Sequence, residues 1–279
     1  MGLEQEIKEK CLAMGARAVG IASVEDINQF APRGHRPNDL LKRAKSVIIV
    51  AGGEPSAGAW RAGTHRTMAS IGYNRGPMAS AARNLSVFME DHYRHFTIPI
   101  PSGNKTGHQP YISLKLCAEM AGLGTRCMAG GIILNAEFGL LYFNGVITTM
   151  ELEADGPLDE PVCPAPSCVD IWEKKKTLPC ILSCTDCLSG ELMDGKIHSM
   201  TYRQDRCYTR AQSNSQDSLQ KMLFEAVSEP DPERRKAILF GSHFVRTARS
   251  VAYSSEVSAQ CFNCMKRCPY VLQRNKDMR

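Results

Sequence analysis

The chain has 279 residues, a formal net charge of +5 at pH 7, 43% hydrophobic residues and 23% charged residues. These values are typical of a soluble globular protein with one large or two small domains, and the mild charge does not by itself indicate nucleic acid as a partner. No run of about 18 apolar residues occurs, so no membrane-spanning helix is predicted. The N-terminus lacks the basic and apolar segments of a secretory signal, which predicts a cytoplasmic protein.

Residues 1–160 alternate between helical and extended patterns. Apolar residues at helical spacing predict helices at 1–14, Leu40–Lys45, Ala81–His95 and Tyr111–Ala121. Short runs rich in β-branched residues predict strands at Ala18–Ala22, Ser46–Ala51, Gly130–Leu134 and Leu140–Thr149. Strands interleaved with helices in this way indicate an α/β (α+β) layer fold.

A Pro-rich stretch at Gly156–Pro166 marks a predicted domain boundary. The predicted domains are therefore 1–160 and 161–279. Two further helices are predicted in the second domain, at Ser218–Val227 and Pro232–Ala252.

Twelve cysteines are present, and nine of them lie between Cys163 and Cys268. In a long chain without a secretory signal, this number favours metal ligands over disulfides. Most of the nine form the pattern Cys180-x3-Cys184-x2-Cys187, a single Cys207, and Cys261-x2-Cys264-x3-Cys268-Pro269. The last run is half of the bacterial ferredoxin motif, in which the final cysteine ligates the other cluster.

The pattern predicts two [4Fe–4S] clusters. By ferredoxin logic, one cluster is held by Cys180, Cys184, Cys187 and Cys268. The other is held by Cys207, Cys261 and Cys264, and it lacks a fourth partner because Glu191 stands where the motif has cysteine. Cys168 is favoured as that partner over Cys163, while Glu191 as a ligand and a three-cysteine cluster remain alternatives.

Two structural zinc sites are the alternative to clusters. Nine cysteines could supply two tetrahedral sites of four thiolates each. Zinc modules usually use two separate Cys-x2-Cys pairs, whereas three cysteines here share one run ending in proline. The spacing therefore favours iron–sulfur clusters.

Several further segments accompany the cysteine pattern along nearly the whole chain. They are Gly15–Ala22, Ala44–Ala51, Ala121–Gly124 (AGLG), Glu137–Gly139 (EFG) and Gly145–Thr149. In this order, they resemble the superfamily of epoxyqueuosine reductases and cobalamin-dependent reductive dehalogenases. The resemblance implies a nitroreductase-like cobalamin-binding domain over 1–160 and a ferredoxin-like double-cluster domain over 161–279.

The resemblance also implies site residues. Members of the superfamily carry a proton donor shortly before the AGLG segment, which corresponds to His108 here, with Tyr111 as a second candidate. The stretch Gly122–Gly131 is implied to line the corrinoid, and the residues expected to do so are Gly122, Gly124, Cys127 and Gly130. Tyr73 and Arg75 are expected to reach the same pocket.

The implied function is a cobalamin-dependent reductase that receives electrons from an external ferredoxin or flavodoxin and reduces a small or nucleoside-like substrate. Two alternatives remain, namely a corrinoid-binding electron-transfer protein (a reactivase or shuttle) and an FMN-dependent reductase. The tRNA-holding helical-repeat domain of many epoxyqueuosine reductases is expected to be absent, which leaves tRNA as a partner open. The resemblance and a cluster-rich surface favour a homodimer.

Overall fold

The computed structural model describes residues 2–61, 64–101, 105–106, 109–203, 206–207, 216–248, 251 and 263–273. For residues 64–76, 105–106, 109 and 216–217, it describes the backbone only. His108 and Cys261 lie outside the described residues, and so do the side chains of Tyr73 and Arg75.

Helices and strands alternate through the first part of the chain, as predicted. The strands are β1 (Ala18–Ser23), β2 (Ser46–Gly52), β3 (Thr97–Ile100), β4 (Lys105–Thr106), β5 (Gln109–Pro110), β6 (Thr125–Arg126), β7 (Ile133–Asn135), β8 (Gly139–Leu140), β9 (Tyr142–Thr148), β10 (Leu188–Met193) and β11 (Lys196–Tyr202). The first helices are α1 (Leu3–Ala13), α2 (Val24–Phe30), α3 (Pro37–Leu40), α4 (Ala57–Arg61), α5 (Thr64–Tyr93), α6 (Leu114–Met120), α7 (Pro166–Lys175) and α8 (Pro179–Leu182). Later helices lie at Gln216–Ser228, Pro232–Phe240, 242–248 and Pro269–Leu272, and a 3₁₀ turn lies at Met265–Arg267.

A four-stranded antiparallel sheet in the order β1-β2-β9-β3 forms the centre of this part. All residues of β2 are buried, which explains its unbroken run of apolar residues. Successive side chains point to opposite faces of a strand. Val47 and Ile49 therefore pack with α2 and α6 on one face, whereas Ile48 and Val50 pack with α1 and α5 on the other. The predicted α/β layer architecture is confirmed.

Two predicted helices differ from the structure. The short helix predicted at Leu40–Lys45 lies earlier, at Pro37–Leu40, because Pro37 has the backbone angle of a first helical turn. The helix predicted from Ala81 onward begins at Thr64, although Pro77 lies inside it.

Two other predicted elements are shorter than expected. The strand predicted from Gly130 begins at Ile133, because Gly130 and Gly131 have positive φ angles of 75° and 64°. The helix predicted from Pro232 to Ala252 breaks at Gly241, where the backbone is extended.

The second part of the chain is built on the β10–β11 hairpin and the cysteine-bearing turns around it. Asp194 and Gly195 join the two strands with positive φ angles of 52° and 73°, as a two-residue hairpin turn requires. The C-terminal helix Pro269–Leu272 meets the first part at Gly139, and Gln273 Nε2 donates to Glu137 O at 2.6 Å. The predicted boundary near residue 160 stays a prediction. In the ranges described, none of the helices has the length and hydropathy needed to cross a membrane.

Candidate metal centre

Five cysteines line one cavity, and four of them come from the second part of the chain. We call Cys163, Cys168, Cys180 and Cys268 the first cysteine group. Each of the four thiols lies within electrostatic reach of the other three. The rest of the wall is largely apolar and includes Met128, Leu134 and Leu178. The structure thus gathers these four thiols around a largely apolar cavity.

Short local elements hold these four thiols. Cys168 lies in the first turn of α7, Cys180 is the second residue of α8, and Cys268 caps the helix Pro269–Leu272. The backbone N–H group of Met128 donates to the sulfur of Cys163, and those of Tyr270 and Val271 donate to the sulfur of Cys268. Such N–H···S bonds stabilise negative charge on sulfur and are one of the means by which proteins tune iron–sulfur clusters.

Burial sets the protonation of the group. It raises the pKa of Cys180 to about 12 and that of Cys163 to about 11, and neighbouring thiols raise both further. Without metal, these thiols therefore carry their protons at neutral pH. Metal ligands must be thiolates, so iron has to displace those protons when it binds.

A second cysteine group lies against the β10–β11 hairpin. It consists of Cys184, Cys187, Cys207 and Cys264, which pack around Leu188 and Ile181. The chain is folded tightly here, because Cys187 N–H donates to Cys184 O at 3.1 Å and Cys207 N–H donates to Arg203 O at 3.1 Å.

Two Cys-x3-Cys segments connect the groups. Cys180 and Cys184 flank the end of α8, while Cys264 and Cys268 flank the 3₁₀ turn, and these two turns pack against each other. Each segment contributes one cysteine to the first group and one to the second. This crossing is the arrangement of two-cluster ferredoxins, in which a cysteine at the end of one motif serves the other cluster.

The grouping differs in part from the pairing inferred from spacing. Cys180 and Cys268 lie together, as predicted, but Cys184 and Cys187 lie with Cys207 and Cys264. Cys180 lies in α8, which ends at Leu182, whereas Cys184 follows the helix and packs with Cys187 and Leu188.

The structure also shows where the three candidates for the fourth ligand of the second predicted cluster lie. Cys168 joins Cys180 and not Cys207, and Cys163 is beside it. Glu191 is exposed on β10. The prediction for Cys261 falls outside the described residues.

The spread of the thiols bears on the zinc alternative. Among the described residues, no three His, Cys, Asp or Glu side chains lie close enough together to hold one metal ion. A tetrahedral zinc site with Zn–S bonds of about 2.3 Å brings its sulfurs to about 3.8 Å from one another. In a cubane, each thiolate binds its own iron, so the sulfurs stand further apart.

The glycines expected to line a corrinoid are packed against the protein itself. A Cβ on Gly122 would lie 2.8 Å from Gly156 O, and one on Gly124 would collide with Leu134 O. At Gly130, the neighbour is the ring of Tyr202, at 3.2 Å. Glycine is thus required here by close backbone packing, and corrinoid contact by these residues stays a prediction.

Cys127 lies at the first cysteine group. It lines the same cavity, is 2% exposed, and lies within electrostatic reach of Cys163, Cys180 and Cys268. The sequence placed it at the corrinoid, and its proximity to four other thiols could not be deduced from spacing alone.

Of the two proton-donor candidates, only Tyr111 is described, and it is half exposed just before α6. Lys115 follows it on α6 and was not singled out from the sequence. Its side chain reaches solvent, yet desolvation by the surrounding protein lowers its pKa, and Arg126 lowers it further. Cys127 and Cys207 act in the opposite direction.

No protein-family model matches the chain, and no curated protein matches it. Solved structures do match. Epoxyqueuosine reductase from Streptococcus thermophilus aligns with a TM-score of 0.54 at 17% identity, over 97% of this chain and 66% of that one. A catabolic reductive dehalogenase, also solved with 3-bromo-4-hydroxybenzoic acid, aligns with a TM-score of 0.52 at 14% identity, over 95% of this chain and 31% of that one.

This chain spans about half to two thirds of the length of the epoxyqueuosine reductases that it matches, and about a third of the dehalogenase. At this level of identity, the likeness concerns the fold. The resemblance inferred from AGLG, EFG and the cysteine pattern is confirmed at that level. The chain has the fold of the epoxyqueuosine reductases and reductive dehalogenases.

Proposed function

We propose that the protein is an iron–sulfur reductase that holds one [4Fe–4S] cluster in each cysteine group. The observation that carries the proposal is the crossing of the two Cys-x3-Cys segments, because each segment serves both groups. A pair of independent zinc sites has no need for this exchange of ligands.

The ligands that we propose follow the two groups. The first cluster takes Cys163, Cys168, Cys180 and Cys268. The second takes its ligands from Cys184, Cys187, Cys207, Cys264 and the predicted Cys261. The described residues fit such ligands, since the walls of the first cavity are largely apolar and backbone N–H groups donate to two of its sulfurs.

We further propose that residues 1–160 bind a corrinoid, and the α/β fold supports this part of the proposal. Bound clusters relay single electrons, and a corrinoid supplies a strongly reducing cobalt centre. The protein's own part is to exclude water, to orient the substrate and to deliver a proton. We assign the delivery of the proton to His108 or Tyr111.

The proposed electron donor is an external ferredoxin or flavodoxin, and the proposed substrate is a small or nucleoside-like molecule. Electron paramagnetic resonance (EPR) of the dithionite-reduced protein tests the iron–sulfur part. Two clusters should give a complex spectrum of two interacting centres, because Cys180 and Cys184 bind different clusters only one helical turn apart. A protein that carries no such signal after anaerobic reconstitution would contradict the proposal.

Cofactor content tests the other part. The protein should retain cobalamin and not FMN when it is incubated with each and passed through a desalting column. Retention of FMN alone would indicate a flavin-dependent reductase. Retention of neither would indicate an electron carrier.

A further inference from the structure

Tyr202 lies at the meeting point of the hairpin and the second cysteine group. It is the last residue of β11 and pairs with Leu188, which directly follows Cys187. The next residue, Arg203, donates its N–H to Cys187 O at 2.8 Å and accepts from Cys207 N–H at 3.1 Å. The backbone therefore holds the end of β11 next to the backbone of Cys187 and Cys207.

The side chain of Tyr202 is held at both ends. Its ring lies against Gly130, where an added Cβ would stand 3.2 Å from the ring. Burial, and then a hydrogen bond between its hydroxyl and Cys207, raise the pKa of Tyr202, and the nearby Cys264 and Cys187 raise it further. A phenol suits this place, since it offers an apolar body for packing and a polar tip for one bond.

A hydrogen bond to a ligand sulfur affects the redox couple of a cluster. Reduction adds one electron, here from the external iron–sulfur or flavin donor, and it neither moves a proton nor breaks a bond. The extra charge spreads onto the sulfurs, so a donor to sulfur binds the reduced state more strongly than the oxidised state. Hydrogen bonds to sulfur are accordingly among the factors that set cluster potentials.

We propose that Tyr202 is a positioning residue that raises the reduction potential of the cluster in the second cysteine group by donating a hydrogen bond from Oη to Cys207 Sγ. The inference rests on the proposed function, because it requires a cluster there. Tyr202 is not part of the ferredoxin cysteine motif, so the motif alone does not predict this role. Tyr202 also connects that cluster to the Gly122–Gly131 stretch, since the same ring packs on Gly130.

Tyr202→Phe is the direct test, because it removes the hydroxyl and keeps the ring on Gly130. Reconstituted wild-type and variant proteins are titrated anaerobically with EPR detection, and their iron content is measured. One of the two midpoint potentials should become more negative, so that the equilibrium constant for reduction of that cluster falls three- to tenfold. A tenfold fall corresponds to about 59 mV for a one-electron couple. The other potential and the iron content should not change.

Tyr93→Phe is the matched control, since this phenol on α5 lies near Glu6 of α1 and packs against a cluster whose one cysteine, Cys11, belongs to neither cysteine group. It should leave both potentials in place. A second readout is pulsed electron–nuclear double resonance, in which an exchangeable proton coupled to the reduced cluster should be present in wild type and absent from Tyr202→Phe.

Unchanged potentials in Tyr202→Phe, or a loss of iron in place of a shift, would overturn the inference while leaving the two clusters intact in the wild type. Absence of cluster signals from the wild-type protein would instead refute the proposed function itself, and the inference with it.

Discussion

Cys163 and Cys168 provide half of the first cysteine group, and both come from a CPAPSC segment that is not part of the standard ferredoxin pattern. Cys168→Ser should therefore lower the iron content by about four atoms per chain, one cluster's worth, because a hydroxyl is a poor substitute for a thiolate on iron. Cys163→Ser should do the same. Iron is measured colorimetrically after anaerobic reconstitution.

The control for this experiment is Cys117→Ala, since Cys117 is fully buried in α6 and belongs to neither group. It should keep all of its iron. A full iron complement in Cys168→Ser would remove this residue from the ligand set.

Cys11 and Cys117 are buried cysteines outside both cysteine groups, and they show how burial alone affects a thiol. Burial raises the pKa of each to about 12, so both thiols stay protonated at pH 8 and are poor nucleophiles. Iodoacetamide should label neither in the folded protein and both after unfolding, as seen by mass spectrometry. Rapid labelling of the native chain would contradict their burial.

The same shift has a consequence for stability. The unfolded chain ionises its thiols from about pH 8.5, whereas these two remain protonated up to about pH 12 when folded. Their contribution to stability is therefore complete below pH 8.5 and falls by about 1.4 kcal/mol per thiol for each pH unit above it. A stability that rises between pH 9 and pH 11 would argue against this account.

At the scale of elements, the EFG segment anchors the helix that carries Cys268. Gly139 has a φ of 71°, and a Cβ there would lie 2.9 Å from Tyr270 O and from Val271 Cα. Gly139→Ala should cost about 2–5 kcal/mol from backbone strain and overpacking. Because the helix has to move, iron in the first group should be lost as well, as measured by melting temperature and iron content.

Gly58→Ala is the matched control for this prediction, because Gly58 lies in α4 with open space around its Cα. Alanine is the better helix former, so the variant should melt at or slightly above the wild-type temperature with full iron. An equally stable, iron-replete Gly139→Ala protein would show that the helix does not depend on this contact.

Sequence patterns predicted the elements that obey local rules. Strands β1 and β2 were predicted to within one residue, because β-branched runs bounded by polar residues leave little choice. Helix α5 was predicted only from Ala81 onward, since Gly72, Gly76 and Pro77 all disfavour helix. The structure nonetheless begins the helix at Thr64, and its residues from Met78 onward pack against the central sheet.

At the scale of the whole molecule, the cysteines were identified from sequence but their partition was not. Spacing alone allows Cys184 to be grouped with Cys180 or separated from it. The choice is made by contact between α8 and the 3₁₀ turn, which are distant in sequence. Tyr202 and Lys115 were missed for the same reason, because their neighbours Cys207 and Cys127 come from other elements.

The metal content of anaerobically prepared wild-type protein tests the central claim most directly. Two cubanes predict about eight irons and eight acid-labile sulfides per chain, a brown colour, and negligible zinc. A colourless protein with about two zinc ions and no sulfide would contradict the assignment of the two cysteine groups as cluster sites.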